Sequence, residues 1–240
     1  MQLNGKTALV TGGTDGIGAE LIRQLRAKGV TVITQGRNAD RVAATRADGF
    51  EVIAADLSTP QGVKAVVDGV AGRTIDILIN NAGAGVDHDF REEVPDPFAA
   101  DGTIFLNLDA PIHLICALMP MLKSRPEAMI VNVTSGLAIA PRAGGPVYCA
   151  TKAGLRSYTQ ALRAQLKDTK VHVLEALPPV VETKMTAGRG SRKMPPAECA
   201  RQFVAAIESN ADEANVGLVK LLQLVHSISP ALARRIMLRF

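Results

Sequence analysis

The chain passes from its first apolar run into its first helical pattern through Thr11-Gly12-Gly13-Thr14-Asp15-Gly16-Ile17-Gly18. Gly12 allows a tight turn, Gly16 lets the backbone approach a pyrophosphate, and Gly18 lets the new helix lie close to a sheet. The free N–H groups at the start of that helix then face the phosphates. A glycine-rich turn placed between a strand and a helix therefore predicts a dinucleotide site.

Short apolar runs alternate with helical spacing along the rest of the chain, which predicts an α/β fold. The runs are continuously apolar rather than alternating, as expected for parallel strands covered on both faces. We therefore predict one doubly wound, Rossmann-like parallel sheet with helices on both faces. The predicted strands are Thr7–Thr11, Thr31–Thr34, Glu51–Ala54, Ile75–Ile79, Met129–Thr134 and Val171–Glu175.

No Pro/Gly-rich linker and no internal repeat divides the sequence, so residues 1–240 are expected to form a single domain. Two stretches depart from the alternation. Residues 184–196 lack periodicity and are expected to form a substrate loop, and residues 216–240 are expected to form an amphipathic helix pair interrupted at Pro230. We expect this tail to pack on its own domain or on a second subunit rather than on a membrane.

Composition narrows the function classes. A net charge of +4 with 3% aromatic residues does not favour nucleic-acid binding. No uninterrupted apolar run reaches the roughly 18 residues of a membrane span, and the start of the chain lacks a signal-peptide pattern. The three cysteines and four histidines show no disulfide or metal-ligand spacing, so no metal is expected. These features predict a cytoplasmic protein that binds a small phosphate-bearing molecule.

The TGxxxGxG spacing resembles the short-chain dehydrogenase/reductase family, and further motifs extend the resemblance along nearly the whole chain. They are Asp56-Leu57, Asn80-Asn81-Ala82-Gly83 and Pro178-Pro179-Val180-Val181-Glu182-Thr183, each after a predicted strand. The segments Tyr148–Lys152 and Ser157–Gln160 are most similar to the branch named for an oxidoreductase of the D-alanylation operon. The resemblance implies cofactor contacts at Gly12, Thr14, Asp15, Gly16, Ile17, Gly18, Arg37, Asp56, Leu57, Asn81, Ala82, Gly83, Tyr148, Lys152, Pro178, Val181 and Thr183.

The choice between NADP and NAD depends on the end of the second strand, where Arg37 stands. An acidic residue there would hydrogen-bond a ribose 2′-hydroxyl, whereas a guanidinium pairs with a 2′-phosphate. Asp15 points the other way, because NADP-preferring relatives often place a basic residue at that position of the glycine loop. Arg37 predicts NADP, with NAD as the alternative.

Tyr148 and Lys152 have the spacing needed for proton transfer. A tyrosine with its ordinary pKa of about 10 is a poor base near neutrality. A lysine four residues further along a helix lies on the same face, and its charge favours the phenolate. Only one other tyrosine exists, Tyr158, and it lies on the apolar stripe of the same helix. We therefore predict Tyr148 as the acid/base and Lys152 as its activator.

Two more residues complete the predicted catalytic set. Ser135 precedes Tyr148 by 13 positions, as in the family, and its hydroxyl can bind the substrate oxygen. Thr134 has similar chemistry, but the family spacing selects Ser135. The resemblance also implies that the backbone carbonyl of Asn107 holds a water that links the lysine to solvent. Pro111 has no N–H to close the helical bond to that carbonyl, which predicts an irregular helix there.

The predicted function is NADP(H)-linked interconversion of a carbonyl and an alcohol on a small molecule. One alternative is the same cofactor fold used for epimerisation or dehydration, and another is a nucleotide-binding sensor without turnover. Hydrolysis by Ser135 lacks support, because no glycine precedes the serine in the G-x-S-x-G pattern. The helices around 103–122 and after Tyr148 are apolar on much of their circumference, and in the family they pair across subunits. A homodimer or homotetramer is expected.

Overall fold

The computed structural model describes residues 1–92, 94–96, 98–188 and 193–239. Within them, seven parallel strands form one sheet in the order β3-β2-β1-β4-β5-β6-β7. Strand order reverses between β1 and β4, which is where sheets of this class bind ligands. The strands are β1 Thr7–Thr11, β2 Thr31–Gly36, β3 Glu51–Ala54, β4 Ile77–Asn80, β5 Ala128–Val133, β6 Val171–Leu177 and β7 Glu213–Asn215.

Nine α-helical segments lie between and after the strands of the described chain, and a π-helical turn, Phe105–Asp109, joins the fourth of them to the fifth. Short 3₁₀ turns follow β5 and β6, at Gly136–Ala138 and Lys184–Thr186. The helices are α1 Gly16–Ala27, α2 Ala39–Ala47, α3 Pro60–Gly69, α4 Asp101–Ile104, α5 Ala110–Ser124, α6 Pro146–Leu166, α7 Pro196–Glu208, α8 Val219–Ile228 and α9 Pro230–Met237.

Apolar layers cover both faces of the sheet. On one face, Leu21 and Leu25 of α1 pack in the same cluster as Phe203 of α7. On the other, Leu114 of α5 and Leu162 of α6 belong to a second cluster. Burial on both faces explains why the strand sequences are continuously apolar. The predicted doubly wound α/β fold is confirmed.

The bounds of β2, β5 and β6 differ from the predicted ones by one or two residues, and three larger details also differ. Strand β4 begins at Ile77 instead of Ile75, after Asp76, whose carboxylate accepts the backbone N–H of Thr7 at 2.8 Å. Strand β7, Glu213–Asn215, was not predicted, because three residues are too few to show a pattern. The loop expected at 184–196 contains the Lys184–Thr186 turn and a bridge from Met194 back to Val181, and its residues 189–192 lie outside the described part.

The segment from Asp101 to Ser124 is long and apolar enough to cross a membrane by length and composition. Counting uninterrupted apolar residues missed it, because scattered polar residues such as Asn107 and His113 interrupt the run. Core helices pass the same test, and here Leu114, Leu118 and Leu122 are buried against the sheet. This single helix is therefore weak support for a membrane span.

Candidate active site

A cleft of about 530 Å³ lies at the carboxyl ends of the strands, beside the switch in strand order. The seventeen predicted cofactor contacts and Ser135 all line this cleft. Asn107 is the one predicted site residue that does not. Its lining includes Gly12, Thr14, Asp15, Gly16, Ile17, Gly18, Arg37, Asp56, Leu57, Asn81, Ala82, Gly83, Ser135, Tyr148, Lys152, Pro178, Val181 and Thr183.

The glycine loop is packed too closely for side chains. Gly12 has φ +69°, and a Cβ there would lie 2.9 Å from the Cα of Ala82. A Cβ on Gly18 would lie 2.1 Å from the Gly12 carbonyl oxygen. The Asn81 amide donates to the carbonyls of Thr11 and Gly12, at 2.9 and 3.3 Å. Asn81 thus fixes the turn that brings bare backbone to the cleft.

Asp15 caps the helix that opens at this turn. Its carboxylate accepts the backbone N–H of Gly16 at 2.8 Å and also pairs with Arg41 at the start of α2. The Asp15 carboxylate, whose charge disfavours NADP, is therefore paired with the Arg41 cation and hydrogen-bonded to the N-terminus of α1. Arg41 also lines the cleft and was not predicted from the sequence. Its place four residues beyond Arg37 was the available signal.

Arg37 reaches the same end of the cleft and lies 3.3 Å from the carboxylate of Asp56. Burial tends to raise the pKa of Asp56, but hydrogen bonds from Ser58 and the charge of Arg37 outweigh it, so the pKa is lowered. Two arginines, each facing an aspartate, thus border this end of the cleft. The arrangement leaves guanidinium groups at the rim, where an anionic group can bind.

Lys152 and Tyr148 occupy the first turns of α6. The Nζ of Lys152 lies 5.9 Å from the centre of the Tyr148 ring and donates to the carbonyl of Val133 at 2.8 Å. Burial lowers the pKa of Lys152 to about 8. An ammonium held in a water-poor site exerts a stronger field on a neighbouring phenol than one in solvent.

Ser135 is buried at the carboxyl end of β5, where it caps the Gly136–Ala138 turn. Its Oγ accepts the backbone N–H of Leu137 at 3.1 Å. That bond uses the oxygen as an acceptor and leaves the hydroxyl proton available to a substrate oxygen. The structure brings Ser135, Tyr148 and Lys152 into one cleft, as the sequence predicted for the set.

Asn107 lies behind the cleft and is fully buried. Its side chain accepts from the Ala84 N–H at 3.0 Å and donates to the Ala84 carbonyl at 2.8 Å and to Thr151 at 3.1 Å. The backbone around it forms the π-helical turn Phe105–Asp109, in which the N–H of Ala110 donates to the carbonyl of Phe105. The expected irregularity before Pro111 is thus present, and it takes the form of a wide turn.

A buried ion pair behind Ser135 was not predicted. Glu175 of β6 is inaccessible to solvent, accepts from the Thr134 hydroxyl at 2.7 Å and pairs with Arg156 of α6 at 2.7 Å. Burial raises the pKa of this carboxyl, against the opposing effects of Thr134 and Arg156. Arg156 also lies 3.2 Å from Glu213 of β7. The paired residues are far apart in the chain, so no local sequence pattern predicts that they interact.

Comparison with protein families gives one clear match. The family model described as short chain dehydrogenase matches residues 6–193. The uncharacterized oxidoreductase DltE of Bacillus subtilis is 40% identical over 187 residues, covering 76% of this chain and 74% of the relative. Serine 3-dehydrogenase of Agrobacterium fabrum is 34% identical over 194 residues, covering 76% of this chain and 75% of the relative.

Solved structures agree with this match. A short chain dehydrogenase from Burkholderia cenocepacia, in complex with NADP, superimposes with a TM-score of 0.88 at 27% identity and covers 99% of both chains. A short chain dehydrogenase/reductase from Burkholderia phymatum, in complex with NAD, has a TM-score of 0.81 at 20% identity and covers 95% of this chain and 96% of its own. The second likeness shows the fold alone.

Proposed function

Because this chain belongs to the short-chain dehydrogenase/reductase family, we propose that it interconverts a carbonyl and an alcohol on a small molecule with NADP(H). The family assignment makes it an oxidoreductase. The observation that carries the finer proposal is the grouping of Tyr148, Lys152 and Ser135 on one cleft that also contains the glycine loop. The substrate must place its reacting carbon between that triad and the bound nucleotide.

The residues present fit a dinucleotide. A Cβ at Gly12 or Gly18 would fill the space against Ala82 or the Gly12 carbonyl, so the loop is shaped for backbone contact with a pyrophosphate. Arg37 and Arg41 border the end of the cleft beside Asp15 and favour the 2′-phosphate of NADP. Pro178, Val181 and Thr183 would hold the nicotinamide end. The bound cofactor supplies or accepts the hydride.

Side chains of the protein transfer the proton that the reaction requires. In the reducing direction the Tyr148 hydroxyl donates its proton to the substrate oxygen, while the Ser135 hydroxyl donates a hydrogen bond to the same oxygen. The Lys152 cation lowers the cost of the phenolate that remains, since opposite charges stabilise each other strongly in a partly dry cleft. The Lys152 ammonium then reprotonates the phenolate, and the water that we propose the Asn107 carbonyl holds returns a proton to Lys152.

Replacing Tyr148 with phenylalanine tests this assignment. Tyr148→Phe removes only the proton donor, so we expect kcat to fall by more than about a hundredfold while NADPH affinity stays close to that of the parent. Tyr158→Phe on the same helix is the matched control and should keep its activity. NADPH oxidation across a panel of ketones and aldehydes, with cofactor titration by fluorescence, measures both quantities. Activity of Tyr148→Phe within about tenfold of the parent would reject the assignment.

The same panel separates the alternative functions. Binding of NADPH without turnover of any panel member would favour a nucleotide sensor. Product formation without net NADPH consumption would favour epimerisation or dehydration. The complete Tyr148, Lys152 and Ser135 set favours turnover, because a sensor has no need of a proton donor beside an activating cation.

A further inference from the structure

Helix α8, the first helix of the tail, exposes a stripe of large apolar side chains. Leu218, Leu221, Leu224 and Ile228 are 71%, 57%, 56% and 77% exposed. At about 100° per residue they lie within a sector of about 120° on one side of the helix. Isolated exposed leucines are ordinary, but four on one helical face form a patch. We call these four residues the tail stripe.

The opposite side of α8 is anchored to the wall of the candidate active site. Val219 is buried, about 160° from the centre of the tail stripe. A Cβ on Gly136, the residue after Ser135, would lie 3.1 Å from its Cγ2. A Cβ on Gly217 would lie 2.9 Å from the Cε of Met194 and 3.5 Å from Pro179. The helix is therefore fixed in place, and the exposure of its outer face is a property of the folded chain.

Helix α9 adds a second amphipathic surface with positive charge. Leu232 and Ile236 are 49% and 41% exposed, and Arg235 lies on the same side of the helix by angle. Ala233, on another side, is fully buried and anchors the helix. Arg239 lies two residues after the end of the helix. Apolar and cationic side chains thus share one side of α9.

The charge of the tail has one sign. Residues 214–240 contain no aspartate or glutamate and four cationic residues, Lys220, Arg234, Arg235 and Arg239. The charge of this segment, +4, equals the net charge of the whole chain. Among the residues that the structure describes, none of these four cations lies within 4 Å of a carboxylate. Cations without local partners beside exposed leucines are typical of helices that lie on membranes.

We propose that the outer face of α8 and α9 docks on an anionic lipid surface. Attraction of about 1 kcal/mol per cation near such a surface adds to the burial of the leucines. A second copy of the chain is a poorer occupant, because a two-fold contact through this face would bring cations such as Arg235 close to the same cations of the other copy. The helices have 10 and 8 residues, short of the roughly 20 that a span requires, so they lie on the surface.

Docking in this way would place the wall of the cleft beside Ser135 one helix away from the membrane surface. Val219 contacts the residue that follows Ser135, and the tail stripe lies on the far side of the same two-and-a-half-turn helix. An amphiphilic carbonyl substrate could then enter from the lipid interface without crossing bulk water. This consequence depends on the proposed reductase function, whereas the docking itself does not.

Vesicle binding by the intact protein tests the proposal. We expect the parent to sediment with vesicles of phosphatidylcholine and phosphatidylglycerol at about 2:1, and far less with phosphatidylcholine alone. Binding should weaken when salt rises from about 0.1 to 0.5 M. Leu221→Glu with Leu224→Glu should lower binding at least tenfold. Arg235→Gln with Arg239→Gln should lower it about fivefold per charge removed.

The matched control variants carry the same kinds of substitution at exposed positions outside the tail. Val94→Glu alters another exposed apolar residue, and Lys123→Gln removes an exposed cation from α5; both should bind vesicles like the parent. NADPH affinity and thermal unfolding verify that the tail variants are folded. No sedimentation of the parent, or equal losses in the controls, would overturn the proposal. A tail variant that lowers the oligomer mass without lipid would also overturn it, since a second copy would then cover the stripe.

Discussion

Arg37 and Arg41 together change the electrostatic argument about the cofactor. Asp15 alone would repel the 2′-phosphate of NADP, but its pairing with Arg41 offsets that charge. Arg37 in turn faces Asp56. The two ion pairs are at least a third exposed, so each can open to admit a phosphate at small cost. A loop aspartate is therefore compatible with NADP when a cation on the next helix reaches it.

Reversing the charge of Arg37 tests the cofactor preference. Arg37→Asp removes a charge-assisted contact and places a second carboxylate beside Asp56, so NADPH affinity should fall by about 30- to 150-fold. NADH affinity should change by only a few fold. Titration of both cofactors into both proteins gives the ratio, with Arg73→Asp, outside the cleft, as the control. An unchanged NADPH/NADH ratio would show that Arg37 does not contact the phosphate.

Lys152 couples proton binding to folding. Burial lowers its pKa from 10.5 to about 8. Between these values the unfolded chain binds more protons than the folded one, so the unfolding free energy rises with pH across this window. Below pH 8 both states are protonated and the contribution is constant. The charged lysine is thus held in the apoprotein at the expense of stability.

Lys152→Met removes this titration. We expect the gain in unfolding free energy between about pH 8 and 10 to be smaller in the variant than in the parent. Urea unfolding of the apoproteins at several pH values measures it, and Lys123→Met, an exposed lysine on α5, serves as the control. Parallel pH profiles for parent and Lys152→Met would contradict the lowered pKa.

At the scale of elements, the sequence predicted most of the sheet and most of the residues that line the candidate site, because both depend on local patterns. Strands β1 and β3 have the predicted bounds, and the glycine loop lies where a strand meets a helix. The missed features are non-local: Arg41 pairs across to Asp15, and Glu175 pairs with Arg156 from another layer. Such pairings leave no periodicity in the chain, and although the spacing of Arg41 from Arg37 was visible, its partner Asp15 was not.

The Glu175–Arg156 pair joins β6 to α6. It lies directly behind Thr134, the residue before Ser135. Arg156→Met would leave a fully buried carboxylate beside Thr134 without its cation, and we expect a loss of about 3–5 kcal/mol in unfolding free energy. Arg201→Met removes an exposed partner of Glu198 and should cost about 0–1 kcal/mol. Urea unfolding compares them. Glu175→Gln added to Arg156→Met should restore part of the loss; equal effects of the two arginine variants would contradict this role.

At the scale of the whole molecule, α5 and α6 present exposed faces with few charges. The exposed residues include His113, Cys116, Ala117 and Pro120 on α5 and Ala153, Ser157, Ala161 and Ala164 on α6. Small uncharged side chains let a neighbouring helix approach closely, and apolar faces gain stability when covered. These faces carry few charges, whereas the tail carries four cations and no carboxylate, so the two differ in the chemistry of the partner that they suit.

We expect the α5 and α6 faces to pair between copies of the chain, giving a homodimer or homotetramer. Ala117→Arg with Ala161→Arg places two charges in the contact, where an unpaired charge costs several kcal/mol, and should convert the assembly into smaller species. Sedimentation velocity measures the mass. The tail variant Leu221→Glu with Leu224→Glu should leave the mass unchanged, because the tail faces lipid in the proposed arrangement. A monomeric parent, or an unchanged mass after both arginine substitutions, would show that these helix faces are not the subunit contact.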